Sequence, residues 1–116
     1  MAAVAVLGAS LMASHQTYAR EMPAQCVIKG GSDLSVQQYS GTCLFSQGEK
    51  GSFMIRKSDS EIIPSIMNIS VYVLSPGVAE VRGLTKHGIN SRWGPAKRSQ
   101  EDPACWTGAD FEICAY

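Results

Sequence analysis

The sequence predicts a small all-β domain, an antiparallel meander closed into a barrel or folded into a sandwich and held by two disulfides. Three observations predict it. Short runs rich in Val, Ile and Phe alternate with clusters of Gly, Ser, Pro and Asp along the chain, the pattern of strands joined by tight turns. Beyond the first residues no window sustains the 3.6-residue apolar period of a helix. Four cysteines stand in the predicted domain, two near each end.

The first element is a leader. Residues 2–13 (AAVAVLGASLMA) are apolar and mostly small. That is too short for a bilayer span, which takes ~20 residues. It suits the apolar region of a secretory signal peptide, with Thr17-Tyr18-Ala19 as the cleavage site. The positive residues that usually precede such a region are missing. Cys26 does not fit a lipidation site, since Gln25 and Pro23 stand where small and aliphatic residues are needed. Residues 1–19 are therefore read as a signal peptide and 20–116 as one domain. The expected location is periplasmic or secreted, with no stable membrane insertion after cleavage. Arg20, Glu21 and Met22 are expected to form a flexible lead-in.

The strands follow in order. Residues 26–29 (CVIK) are a short β-branched strand, stopped by Gly30-Gly31-Ser32-Asp33. After a predicted Ser40-Gly41 turn, residues 42–46 (TCLFS) form the second. A turn at 47–51 leads into a strand at 52–57 (SFMIRK). Residues 66–74 (IMNISVYVL) give the clearest signal: Met67, Ile69, Val71 and Val73 make one apolar face. Ser75-Pro76-Gly77 turns the chain back into 78–84 (VAEVRGL). Residues 85–104 lack alternation and hold two glycines and two prolines. They are expected to form a long irregular loop, a kind of segment that often carries function. Asn68-Ile69-Ser70 matches a glycosylation sequon, and no role is assigned to it.

The chain closes on DPACWTGADFEICAY. Cys105 and Cys114 are expected to face each other in a terminal hairpin that turns near Gly108-Ala109-Asp110, with Trp106 opposite Ile113. Opposed positions bring Cβ atoms to ~4.5–5.5 Å, within reach of a disulfide. Trp106 is expected to cover that disulfide. Cys26 and Cys43 would pair in the same local way, although a link between the chain ends, such as Cys26–Cys114, is the alternative. Zinc sites usually pair ligands two to four residues apart; sixteen and eight residues separate these pairs. No metal or other cofactor is expected.

Ten basic and ten acidic residues cancel, and the densest basic stretch, Lys86 to Arg98, holds only four positive residues besides His87. That argues against a nucleic-acid partner. The same stretch holds the candidate binding residues Lys86, His87, Arg92 and Trp93. Trp and Arg are the types enriched at protein-binding hot spots, so another protein is the expected partner. Trp93 has a second reading, as a plug at one end of the barrel. His87 is the only histidine after the leader, and no local motif supplies the partner that a general base needs. With the cysteines oxidised and no G-x-S-x-G elbow, catalysis is not expected.

The early Cys26, Gly41-Thr42-Cys43, Gly51-Ser52-Phe53, the glycine-bearing stretch Gly88 to Gly94, and the closing Ala104-Cys105-Trp106 with Ile113-Cys114-Ala115 resemble a group of poorly characterised small exported proteins of alphaproteobacteria. The resemblance implies a periplasmic or secreted module without an established reaction. A weaker similarity links the chain to the periplasmic c-type lysozyme inhibitors, small disulfide-bearing β-barrels that use S-G-x-x-Y and T-K-G segments. Here Ser40-Gly41 runs into Thr42, Cys43 and Leu44, and His87 stands between Thr85-Lys86 and Gly88. Both motifs are broken and no inhibitory residue carries over. The expectation is a non-enzymatic exported binding module of the periplasm, such as an inhibitor of a host or envelope protein. A secreted virulence effector delivered into host cells is the alternative, and an enzyme using His87 a remoter one.

Overall fold

The computed structural model describes residues 17–116. The apolar stretch read as the signal peptide's core lies outside these residues. Eight antiparallel strands follow one another around a closed barrel. They are β1 (Met22–Gly30), β2 (Val36–Gln47), β3 (Phe53–Arg56), β4 (Ile66–Ser75), β5 (Val78–Thr85), β6 (Asn90–Arg98), β7 (Cys105–Thr107) and β8 (Phe111–Ala115). Each pairs with the next, and β8 closes on β1 from Cys26↔Ala115 to Gly30↔Phe111. Closure satisfies both edges of the sheet.

The interior is a packed core. Ile28, Ile55, Ile69, Val71, Val81 and Ile113 are fully buried there, with Trp106 and Phe111 filling the space between them. An eight-stranded barrel leaves room for side chains of about this bulk. Ile69 and Val71 confirm the inward face of β4. Met67 does not follow it. The β4–β5 register slips between Ile66 and Asn68, Met67 becomes the extra residue of a bulge, and Ile66 packs against the core instead.

Both disulfides form locally: Cys26–Cys43, with Cα atoms 5.8 Å apart, and Cys105–Cys114 at 4.0 Å. The first is part of the core. The second joins directly opposed residues, and Trp106 opposes Ile113 as expected. Trp106 does not cover its neighbouring disulfide, however. Successive strand residues point to opposite faces, so Trp106 and Ile113 enter the core and Cys105–Cys114 lies outside. Tyr116 shields that bridge, its hydroxyl 3.7 Å from Cys105 Sγ.

Three further expectations are corrected. Ser40 and Gly41 do not turn the chain; they lie inside β2, opposite Val27 and Cys26. The lead-in is tied down, because Met22 opens β1 and Glu21 holds Arg56 by two hydrogen bonds of 2.5 and 2.7 Å. Residues 85–104 are not a loop, since β6 occupies their centre. Its inward residues are Gly94 and Ala96, both buried. With no large apolar side chain on the core face, the strand has no visible alternation.

Candidate functional site

In an up-and-down barrel all odd-numbered strands end at the same rim. The β1–β2, β3–β4, β5–β6 and β7–β8 connections therefore gather at one end. The candidate residues of the sequence lie toward that end, but on different faces.

Lys86 and His87 occupy the β5–β6 turn. This tip is held by four hydrogen bonds. Thr85 and Gly88 close the turn (Thr85 N–H to Ile89 carbonyl, 2.8 Å; Gly88 N–H to Thr85 carbonyl, 3.0 Å), and the Lys86 N–H reaches the Ser65 carbonyl at 2.9 Å. The Thr85 hydroxyl accepts from the Ile89 N–H at 3.0 Å. The Lys86 ammonium lies 3.9 Å from Glu61. Ile89, which the sequence reading passed over, is 63% exposed beside them. An isolated surface isoleucine in a stretch without periodicity gave no signal.

Arg92 lies along β6 and spans to β5. Its guanidinium donates to both carboxylate oxygens of Glu80, at 2.5 and 3.2 Å. Arg82 approaches the same carboxylate at 3.6 Å. The Arg92 hydrogen bonds hold the Glu80 pKa below the usual carboxylate range and raise that of Arg92. Trp93 turns the other way. The β5–β6 register places Arg82 opposite Arg92 and Val81 opposite Gly94, which leaves Trp93 as the extra residue of a bulge. Bulges re-aim side chains, and this one lays the indole over Gly83, where even a Cβ would come within 2.7 Å of Nε1. The ring meets Phe111 edge-on at 5.6 Å between centroids. Trp93 thus caps one end of the barrel. The structure brings Arg92 and Trp93 to the rim of one cleft and leaves Lys86 and His87 on the turn, so the four do not form one patch.

A cleft of about 360 Å³ opens at this end, lined by Gly30, Gln38, Ile63, Arg92, Trp93, Asp110 and Phe111. Gln38 reaches it as Trp93 does. Ile28 pairs with Tyr39 and Lys29 with Gln37, so Gln38 is the extra residue of a β2 bulge, and its amide lies across Gly30. Neither Gln38 nor Asp110 was legible as a site residue, because a bulge in β2 and the turn between β7 and β8 bring them to Trp93 only in the closed barrel. At the opposite end, Arg98 lies over the Trp106 ring at 5.4 Å and donates to the Pro103 carbonyl at 2.8 Å.

Cys105, Glu112 and Cys114 are the one group of three potential metal ligands among the described residues, but the two sulfurs are bonded to each other. No helix among the described residues is long and apolar enough to cross a membrane. No family model, curated protein or solved structure matches the chain.

Proposed function

We propose that this chain is a small exported module that works by binding another protein through the β5–β6 tip. The carrying observation is the fixed, exposed Ile89, on the same turn as Lys86 and His87. Single exposed apolar residues are common and need no explanation. This one sits on a turn whose backbone is fixed from both sides, so little conformational entropy is lost when a partner covers it. Lys86 adds a charge at the rim, where it steers encounter more than it sets affinity. His87 is exposed and has no hydrogen-bonding or ion-pair partner among the described residues, which favours a contact role over general-base chemistry. The disulfides are compatible with an exported protein, since such bonds persist in oxidising compartments.

The test is capture of proteins from the periplasm and from the culture medium on the immobilised, oxidised protein. Ile89→Ser and Lys86→Ala should each reduce capture of a specific partner without changing the unfolding midpoint. Capture that survives both substitutions would place the interface elsewhere. Fractionation of the producing cells assigns the compartment, and a translocation assay separates a periplasmic module from a delivered effector.

A further inference from the structure

We infer that the barrel-end cleft beside this tip is a second, independent site that takes a neutral sugar ring. Two register bulges, at Gln38 and Trp93, turn both side chains into one cleft. Bulges are over-represented at functional sites because they re-aim side chains. Two glycines make room for the aromatic rings that wall the cleft. A Cβ on Gly83 would strike the Trp93 ring, and one on Gly108 would lie 2.2 Å from Phe111.

The polar groups in the cleft are unspent. Asp110 is exposed and makes no hydrogen bond or ion pair among the described residues, and the Gln38 side chain makes none either. Arg92 keeps outward donors beyond those given to Glu80, with 59% of its side chain exposed. The cleft therefore offers a cation, a carboxylate, an amide that both donates and accepts, and an aromatic surface. A cationic ligand would meet Arg92, and an anionic one would meet Asp110. A neutral ring with several hydroxyls can use both, donating to Asp110 and accepting from Arg92 and Gln38. Its apolar C–H face suits the half-buried indole. The volume lies near the lower end of ligand clefts, which run ~300–1,000 Å³, and has room for a mono- or disaccharide.

The test is an NMR titration of the labelled, oxidised protein with methyl β-glucoside, methyl α-mannoside and methyl N-acetyl-β-glucosaminide. N-acetyl-lysine amide and N-acetyl-glutamate amide serve as charged probes. At least one glycoside should shift the Trp93 indole N–H and the Phe111 signals saturably, leaving the Trp106 indole at the far end unmoved. Asp110→Ala and Gln38→Ala lie in exposed positions and should each weaken that response by roughly tenfold, the size expected for a lost hydrogen bond to a charged or well-placed group. The inference is overturned if no glycoside shifts Trp93, if a charged amide shifts it as strongly, or if both substitutions leave the response intact. Ile89→Ser should not alter the titration, which separates this site from the protein-binding tip.

Discussion

The Trp93 indole lies so close over Gly83 that a methyl group at position 83 would come 2.7 Å from its ring nitrogen. The contact joins β5 to the bulge of β6 and caps the barrel end, and Trp93 touches the core there. Gly83→Ala should therefore displace the ring. Overpacking of this kind typically costs ~1–3 kcal/mol. A lowered denaturant midpoint with an altered Trp93 environment is the expected result. An unchanged midpoint would mean that the indole is free to move aside.

Trp93→Ala tests whether the residue is architecture. A fully buried Trp→Ala change costs ~3–5 kcal/mol, and a half-buried ring should fall below that range but well above the ~0.5 kcal/mol typical of surface substitutions. Thermal unfolding measures it. Partner capture at the tip should persist in the folded fraction, because Ile89 and Lys86 are fixed by Thr85 and Ser65 rather than by the indole.

Thiol titration of the denatured, unreduced protein should find no free cysteine. Peptide mapping should recover Cys105 with Cys114, and Cys26 with Cys43. The chain-entropy account gives ~3 kcal/mol for closing loops of this length, so reduction should lower the unfolding midpoint substantially.

Tyr116 guards the outer disulfide, and pH should open the guard. Its hydroxyl donates to Asp102 at 2.5 Å. That hydrogen bond, with partial burial and the nearby carboxylates, raises the phenol pKa above its usual value of ~10. A raised folded-state pKa means that the stabilisation is complete below the unfolded value and is lost as pH rises through the folded one. Ionised Tyr116 could not donate and would repel Asp102. Tyr116→Phe removes the donor but keeps the ring, and Tyr116→Ala removes both. Reduction of Cys105–Cys114 by a thiol at neutral pH should quicken more in the alanine variant. Equal rates in wild type and Tyr116→Ala would show that the ring does not shield the bridge.

Acid should release two other ties. Glu21 and Glu80 have pKa values lowered chiefly by hydrogen bonds from Arg56 and Arg92. Their contribution is present above the unfolded carboxylate pKa and disappears as pH falls through the lower folded value. Both pairs are solvent-exposed, and such pairs are commonly worth only ~0–1 kcal/mol. Glu80→Gln should therefore flatten the acid limb of the stability curve only slightly. A large loss of stability at neutral pH would mean that this pair organises the β6 bulge.

The sequence by itself determined the fold class, most strand positions and the terminal hairpin that carries Cys105 and Cys114. Val and Ile alternate along β4, Ser75-Pro76-Gly77 sets a turn, and spacing places Cys105 opposite Cys114; each is a local signal. Tertiary structure decided whatever depends on register and on neighbouring strands. β6 was illegible because its inward residues, Gly94 and Ala96, carry almost no apolar bulk, and pairing with β5 defines it. Bulges moved the inward position from Met67 to Ile66 and turned Gln38 and Trp93 into the same cleft, since one extra residue reverses the face of a side chain. Closure of β8 on β1 completed the barrel and set Phe111 against Trp93. No local pattern encodes that contact, because it exists only once all eight strands have come round.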